Sequence, residues 1–244
     1  MGKRTLKLLL IIIFIYSLYI LSIHFYDSYQ NNKTYEEIRE DFITQEEEEE
    51  VEVEEDKPII MNKFHRLLEI NNDVIGWIKI PGTKIDYPVV KTDNNDFYLE
   101  HDINQKKSKA GTIFMDFRNQ GDGTDKHTIL YGHHMRDGSM FTELMKFKQK
   151  EFIGENMTIL FDTLYEEITF EIFSVYVTGT DFYYIETSFS SDGEYLDFLK
   201  IIQEKSMFER DLTLKAEDQI LTLSTCTYEF DNARFVVHAR RINE

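Results

Sequence analysis

Residues 8–23 form an almost wholly apolar run, with Ser17 and Ser22 as mild exceptions. No other stretch leaves the chain so few structural options. Counted from Thr5, the run is just long enough to cross the hydrocarbon core of a bilayer. A lone segment in lipid satisfies its backbone only as a helix. Lys3, Arg4 and Lys7 precede it and Asp27 follows, so the amino terminus is expected in the cytoplasm and the remainder outside. A cleaved signal peptide is the competing reading. It lacks support, because no small-x-small site follows the run, where Tyr19, Leu21, His24 and Phe25 stand. Residues 1–27 therefore read as a cytoplasmic stub and a single transmembrane signal anchor.

Residues 28–57 read as an acidic extracytoplasmic linker. Its centre, from Glu46 through Asp56, is a nearly continuous acidic run that repels itself and stays extended. A short helix over residues 35–42 is expected to continue from the anchor. The net charge of −18 owes much to this linker. It argues against nucleic acid as a partner, since a phosphate backbone would be repelled.

From Pro58 onward, residues 58–244 are of a size for one catalytic or binding domain. Helical spacing of Ile60, Phe64, Leu67 and Leu68 predicts a helix over 59–70. Alternation predicts strands at 74–80, 85–90, 111–116, 128–131, 157–161 and 167–177. Asp93 to Asp96 resembles a helix cap. A short helix is expected over 139–147 and a longer one from the Ser191 cap to about Phe208, with residues 179–187 as a loop between strand and helix. Many short strands with helices set between them predict a mainly β fold, a closed β-barrel with helical decorations.

The chain holds one cysteine, Cys226, so no intramolecular disulfide is possible and the thiol is either reactive or inert. Its setting favours reactivity. Residues 220–226 alternate apolar and small polar side chains, which puts Thr222, Ser224 and Cys226 on one strand face and Leu221 and Leu223 on the other. Residues 233–240 read as the returning strand. A hairpin centred near Phe230 places Arg234 opposite Cys226, on the same face. A guanidinium beside a thiol favours the thiolate and offers donors to a developing oxyanion. The best base is His133, which follows Gly132 at the end of the 128–131 strand.

With Tyr131-Gly132-His133-His134-Met135, then Gly138-Ser139-Met140-Phe141, then Thr222-Leu223-Ser224-Thr225-Cys226 and Arg234, the chain closely resembles the class B sortases of Gram-positive bacteria. The resemblance covers roughly residues 60–242. It implies the sortase barrel, with N-terminal helices and a helix inserted before the cysteine strand. It also implies a cysteine transpeptidase of the cell membrane that cuts a C-terminal sorting motif of secreted proteins, of Asn-Pro-x-Thr type, after threonine. The acyl group then passes to an amine of the cell-wall peptidoglycan. Cys226 would form the thioester, His133 would protonate the leaving amine, and Arg234 would hold the oxyanion. The thiol–imidazole pair need not be a standing ion pair. Ser224 is expected at the substrate, and Tyr184 is the best match to a substrate-contacting tyrosine on one groove wall. Asn95 and Leu99 are expected on the opposite wall, and His134 is expected to point away.

The mechanism calls for no cofactor. A zinc site from His127, His133, His134 and Cys226 has no recognisable ligand spacing, and the acidic loop 116–125 lacks the spacing of an EF-hand. Two other functions are compatible with the residues. One is an L,D-transpeptidase-like thiol enzyme, whose typical Ser-x-Gly-Cys differs from Ser224-Thr225-Cys226. The other is a non-catalytic surface-display domain.

Overall fold

The computed structural model describes residues 2–46 and 59–242. The acidic run expected to form the core of the linker, beyond its first residue Glu46, and Pro58 lie outside the described residues. Eight strands close into one barrel. In chain order they are β1 (Val74–Lys79), β2 (Asp86–Val90), β3 (Ile113–Met115), β4 (His127–Tyr131), β5 (Thr158–Thr163), β6 (Glu167–Thr178), β7 (Ile220–Cys226) and β8 (Arg234–Arg241). Around the barrel they run β1-β2-β3-β4-β7-β8-β6-β5. The pairs β2–β3 and β4–β7 are parallel, and the others antiparallel. Closure removes the unpaired edges that an open sheet of this size would expose.

The period of two decides what each strand buries. Leu221 and Leu223 of β7 face the barrel core with Phe235, Val237 and Ala239 of β8. The opposite faces of β6, β7 and β8 are covered by α4 (Asp192–Glu204), which lays Tyr195, Leu199 and Ile202 over Phe173, Tyr176 and Val236. Ser191 caps α4 by accepting from the Glu194 amide at 3.2 Å. The helix stops four residues short of the expected Phe208, because the Met207 amide turns back to the Val175 carbonyl of β6, 2.7 Å away.

Two further expectations are corrected in extent. The helix expected over 59–70 is reduced to a 3-10 turn at Asn62–Phe64 and α2 (His65–Ile70). The chain before it is held by the Met61 amide on the Leu164 carbonyl at 2.8 Å. The helix expected over 139–147 is a 3-10 run, Phe141–Lys148, followed by α3 (Lys150–Glu155).

The helix expected over 35–42 is part of a longer one. The first helix, α1 (Lys3–Glu46), does not end with the apolar run and is 44 residues long in all. Its second half packs on the barrel. Tyr35, Ile38 and Phe42, spaced three and four apart on one helical face, are 3%, 5% and 5% exposed. Phe42 stacks on Trp77 at 4.1 Å between centroids, a contact worth about 1 kcal/mol beyond the area it buries. The Tyr35 hydroxyl donates to the Gly111 carbonyl at 3.2 Å, and Arg39 donates to the Asp86 carbonyl. The charged residues between these three positions hide the stripe from a composition-based reading.

Beneath α4 runs a buried polar chain. His127 Nδ1–H donates to the Glu186 carbonyl at 2.5 Å, and Thr222 Oγ1–H donates to His127 Nε2 at 2.6 Å. His238 Nδ1–H donates to Thr222 Oγ1 at 2.6 Å, and the Tyr176 hydroxyl donates to His238 Nε2 at 2.7 Å. A carbonyl only accepts, so His127 Nδ1 carries a proton; with both imidazoles neutral, the rest of the chain takes this ordering and every atom is satisfied. Burial lowers His127 to about 4 and takes His238 well below the usual imidazole range. The unfolded chain binds these protons near pH 6.5 and the folded one does not. The stabilisation is therefore complete above that pH and is lost as pH falls toward the folded values. For His127 alone the swing is on the order of 3 kcal/mol. Thermal melts are expected to be flat above about pH 6.5 and to fall steeply toward pH 4, with a shallower fall in His127→Gln. A wild-type melting temperature constant across that window would contradict the neutral chain.

Candidate active site

The parallel pair β4–β7 brings the two halves of the site together. Its ladder aligns Tyr131 with Ser224 and extends one residue further, where the Gly132 amide donates to the Ser224 carbonyl at 3.3 Å. A Cβ at position 132 would stand 2.4 Å from Ile113 Cδ1 and 2.8 Å from the Phe141 ring. Only glycine lets the strand pass there, and His133 emerges directly beyond it. On the other side of β7, the register of the β7–β8 hairpin pairs Cys226 with Arg234, so both side chains leave the same face of the barrel rim.

These three residues line one open cavity of about 390 Å³. Cys226 is exposed at its edge. Arg234 is half-buried and donates from Nη1 to the Ala233 carbonyl at 3.2 Å. Among the described residues no carboxylate pairs with it, so its remaining donors are available to an incoming carbonyl. His133 Nε2–H donates to the Leu99 carbonyl at 2.7 Å, which fixes the ring and leaves Nδ1 to exchange a proton.

Asn95, Leu99, Tyr184 and Ser224 all line the cavity, the first two from the 95–99 segment and the others from loop 179–187 and β7. Their roles differ in kind. Leu99 contributes an exposed side chain and the carbonyl that holds His133. It sits in the 3-10 turn Phe97–Leu99, begun by the Asn94 carboxamide oxygen, which accepts from the Asp96 and Phe97 amides. Ser224 and Tyr184 bond each other, hydroxyl to hydroxyl at 2.7 Å, so the serine holds the tyrosine ring against the barrel. Asn95 is engaged on both ends of its carboxamide, donating to Asp116 at 3.1 Å and accepting from the Phe117 amide at 3.0 Å.

Tyr183 and Ile185, the neighbours of Tyr184, line the cavity with it, and so do Tyr131 and Phe182, which sequence reasoning missed. Their signal was apolar bulk flanking the histidine and within loop 179–187, which does not by itself separate wall from core. His134, expected to point away, is not among the residues that line the cavity; its Nδ1–H donates to the Cys226 carbonyl at 3.0 Å and its ring lies 5.2 Å from that of Tyr228. It ties down the end of β7. The four residues weighed as zinc ligands are divided: His127 is fully buried in the chain under α4, while His133 and Cys226 open onto the cavity. In loop 116–125, the Asp116 carboxylate faces Arg118, and Asp125 accepts from the Gln120 and Gly121 amides.

The family model for the sortase domain matches residues 78–242. Sortase B of Staphylococcus aureus is 35% identical over 237 residues, covering 96% of this chain and 94% of the relative. Sortase B of Listeria monocytogenes is 37% identical over 187 residues, 76% of each chain. Among solved structures, a crystal structure of sortase B from B. anthracis in complex with AAEK1 superposes with a TM-score of 0.79 at 42% identity. It covers 90% of this chain and all of that one. A Staphylococcus aureus sortase B–substrate complex superposes with a TM-score of 0.80 at 34% identity, covering 89% of this chain and 98% of that one.

Proposed function

This chain belongs to the sortase family, in its class B branch, and is a cysteine transpeptidase; on that footing we propose that it cleaves an Asn-Pro-x-Thr-like sorting motif after threonine and transfers the acyl group to a cell-wall amine. Cys226 Sγ attacks the threonine carbonyl carbon, and Arg234 donates to the oxygen as negative charge develops. His133 takes the thiol proton and gives it to the departing amine, so the amide C–N bond breaks as the thioester C–S bond persists. An acceptor amine then attacks the thioester, the thiolate leaves, and the amine's proton returns through His133. Leu99 and Tyr184 contact the motif from opposite walls, Ser224 and Asn95 keeping those walls in place.

The observation that supports this reading is the convergence of Cys226, His133 and Arg234 on one solvent-open cavity. They come from three strand ends up to 101 residues apart.

Sortases are enzymes of the cell envelope. The apolar part of α1 is long enough to cross a membrane by length and composition. We place the chain as a single-pass protein with its catalytic domain outside, carried close to the bilayer by the second half of α1. This favours substrates still held at the membrane.

The test uses purified residues 28–244, which retain Tyr35, Ile38 and Phe42. A library of Asn-Pro-x-Thr peptides is incubated with and without hydroxylamine, and products are read by mass spectrometry. The expected products end at threonine, carry the added amine when it is present, and form faster with it. No cleavage of any such peptide by enzyme whose thiol remains titratable would sink the proposal.

A further inference from the structure

Behind the cavity, one buried carboxylate meets both of its walls. Asp116 follows β3 directly and is fully buried. Arg118 Nε–H donates to Asp116 Oδ1 at 2.7 Å, and Nη2–H donates to Oδ2 at 2.8 Å. The Arg118 amide adds a bond to Oδ1 at 3.0 Å. Oδ2 also accepts from Asn95 Nδ2 at 3.1 Å and from the Tyr131 hydroxyl at 2.8 Å. Asn95 belongs to one wall, and Tyr131 stands two residues before His133. The remaining reach of the guanidinium goes to the other wall. Nη1–H donates to the Tyr183 hydroxyl at 2.9 Å and Nη2–H to the Ile185 carbonyl at 2.9 Å. These anchors sit on either side of Tyr184.

We propose that Asp116 and Arg118 are a positioning pair that sets the width and alignment of the substrate cavity, by tying Asn95, Tyr131 and the 183–185 segment to a single ion pair whose carboxylate is buried. The pair touches no reacting atom. Burial pushes the Asp116 carboxyl up, but the Arg118 side chain and amide and the Tyr131 hydroxyl outweigh it and leave it below the usual range. The carboxylate is therefore charged at neutral pH, the state that accepts from all these donors. A planar fork with five donors can grip a carboxylate on one edge and a hydroxyl and a carbonyl on the other; an ammonium cannot. The structure therefore needs arginine at 118 for a reason that charge alone does not supply.

This inference rests on the reading of the cavity as the sorting-peptide groove, and the experiment separates the two. Kinetics with the Asn-Pro-x-Thr peptide best cleaved by wild type are compared for Arg118→Lys, Tyr183→Phe and the double variant Asp116→Asn/Arg118→Met. The double variant avoids leaving a buried carboxylate unpaired. Each sample also receives a thermal melt and a rate measurement for Cys226 with methyl methanethiosulfonate, a reagent too small to need the walls. Arg118→Lys is expected to raise KM about tenfold with kcat within about threefold of wild type, Tyr183→Phe less and the double variant more. The reagent rate is expected to stay at the wild-type value throughout. A purely structural role would lower the melt and alter the reagent rate together. A KM for Arg118→Lys within about twofold of wild type, in an enzyme that cleaves the peptide, overturns the clamp while leaving the function standing. A wild type that cleaves no such peptide overturns the function, and the clamp's role falls with it.

Discussion

Cys226→Ala is expected to bring peptide turnover down to background, a loss of at least about a thousandfold, while the melting curve stays within a degree or two of wild type. The two halves of this expectation have separate physical sources. The thiol supplies the only nucleophile on the proposed path, so nothing replaces it. Cys226 is also exposed at a strand end, outside both apolar clusters, so its loss opens no void. Cys226→Ser is expected to be nearly as inactive, because a hydroxyl in the same place is a far weaker nucleophile. His133→Ala should fall comparably, and the Cys226→Ala/His133→Ala double variant should be no worse than either single one, since the two groups act as a unit. The measurement is release of the amine product by mass spectrometry, together with a search for the acyl-enzyme in intact protein. Turnover retained by Cys226→Ala would exclude the thioester path.

The pairing of Cys226 with Arg234 was legible because a strand has a period of two. Once residues 220–226 and 233–240 are read as a hairpin, parity and register put both side chains on one face, as the β7–β8 ladder does. The closed barrel was legible for a similar reason, in the density of short alternating segments. What could not be read off were contacts whose partners lie far apart in irregular segments. Ser224 was placed on the right face, but its partner Tyr184 is 40 residues away in a loop with no periodicity. Asp116 and Arg118 looked like part of a polar loop, because nothing in Asp116-Phe117-Arg118 announces that Asn95, Tyr131 and Tyr183 fold against it. The helix over 35–42 was expected, but its burial against the barrel was obscured differently. Tyr35, Ile38 and Phe42 make a narrow stripe, and the surrounding Glu36, Glu37, Arg39 and Glu40 outweigh it in any local average. His134 was expected to point away from the site, and its bond to the Cys226 carbonyl, made to the backbone and not to the thiol, carried no signal in the sequence.

Arg234→Ala is expected to lower kcat by about a hundred- to a thousandfold, the usual cost of removing one oxyanion donor from a site that has little else to offer. The substitution asks whether the guanidinium acts on the transition state or merely decorates the rim. Arg234 is half-buried, and among the described residues no acidic partner occupies it. If its role were structural, Arg234→Ala would shift the melt and leave kcat nearly intact. If it were only to attract substrate, KM would rise and kcat would hold. Stabilisation of developing charge predicts the remaining pattern, in which kcat and kcat/KM fall together. Arg234→Lys sharpens the distinction. Lysine keeps the charge but loses the planar fork that can meet a carbonyl oxygen while still holding the Ala233 carbonyl. It should recover only part of the loss, leaving kcat about ten- to a hundredfold below wild type. Complete recovery by lysine would reduce the role to point charge. A kcat unchanged in Arg234→Ala would remove the residue from the mechanism and leave Cys226 and His133 without the group that receives the oxyanion.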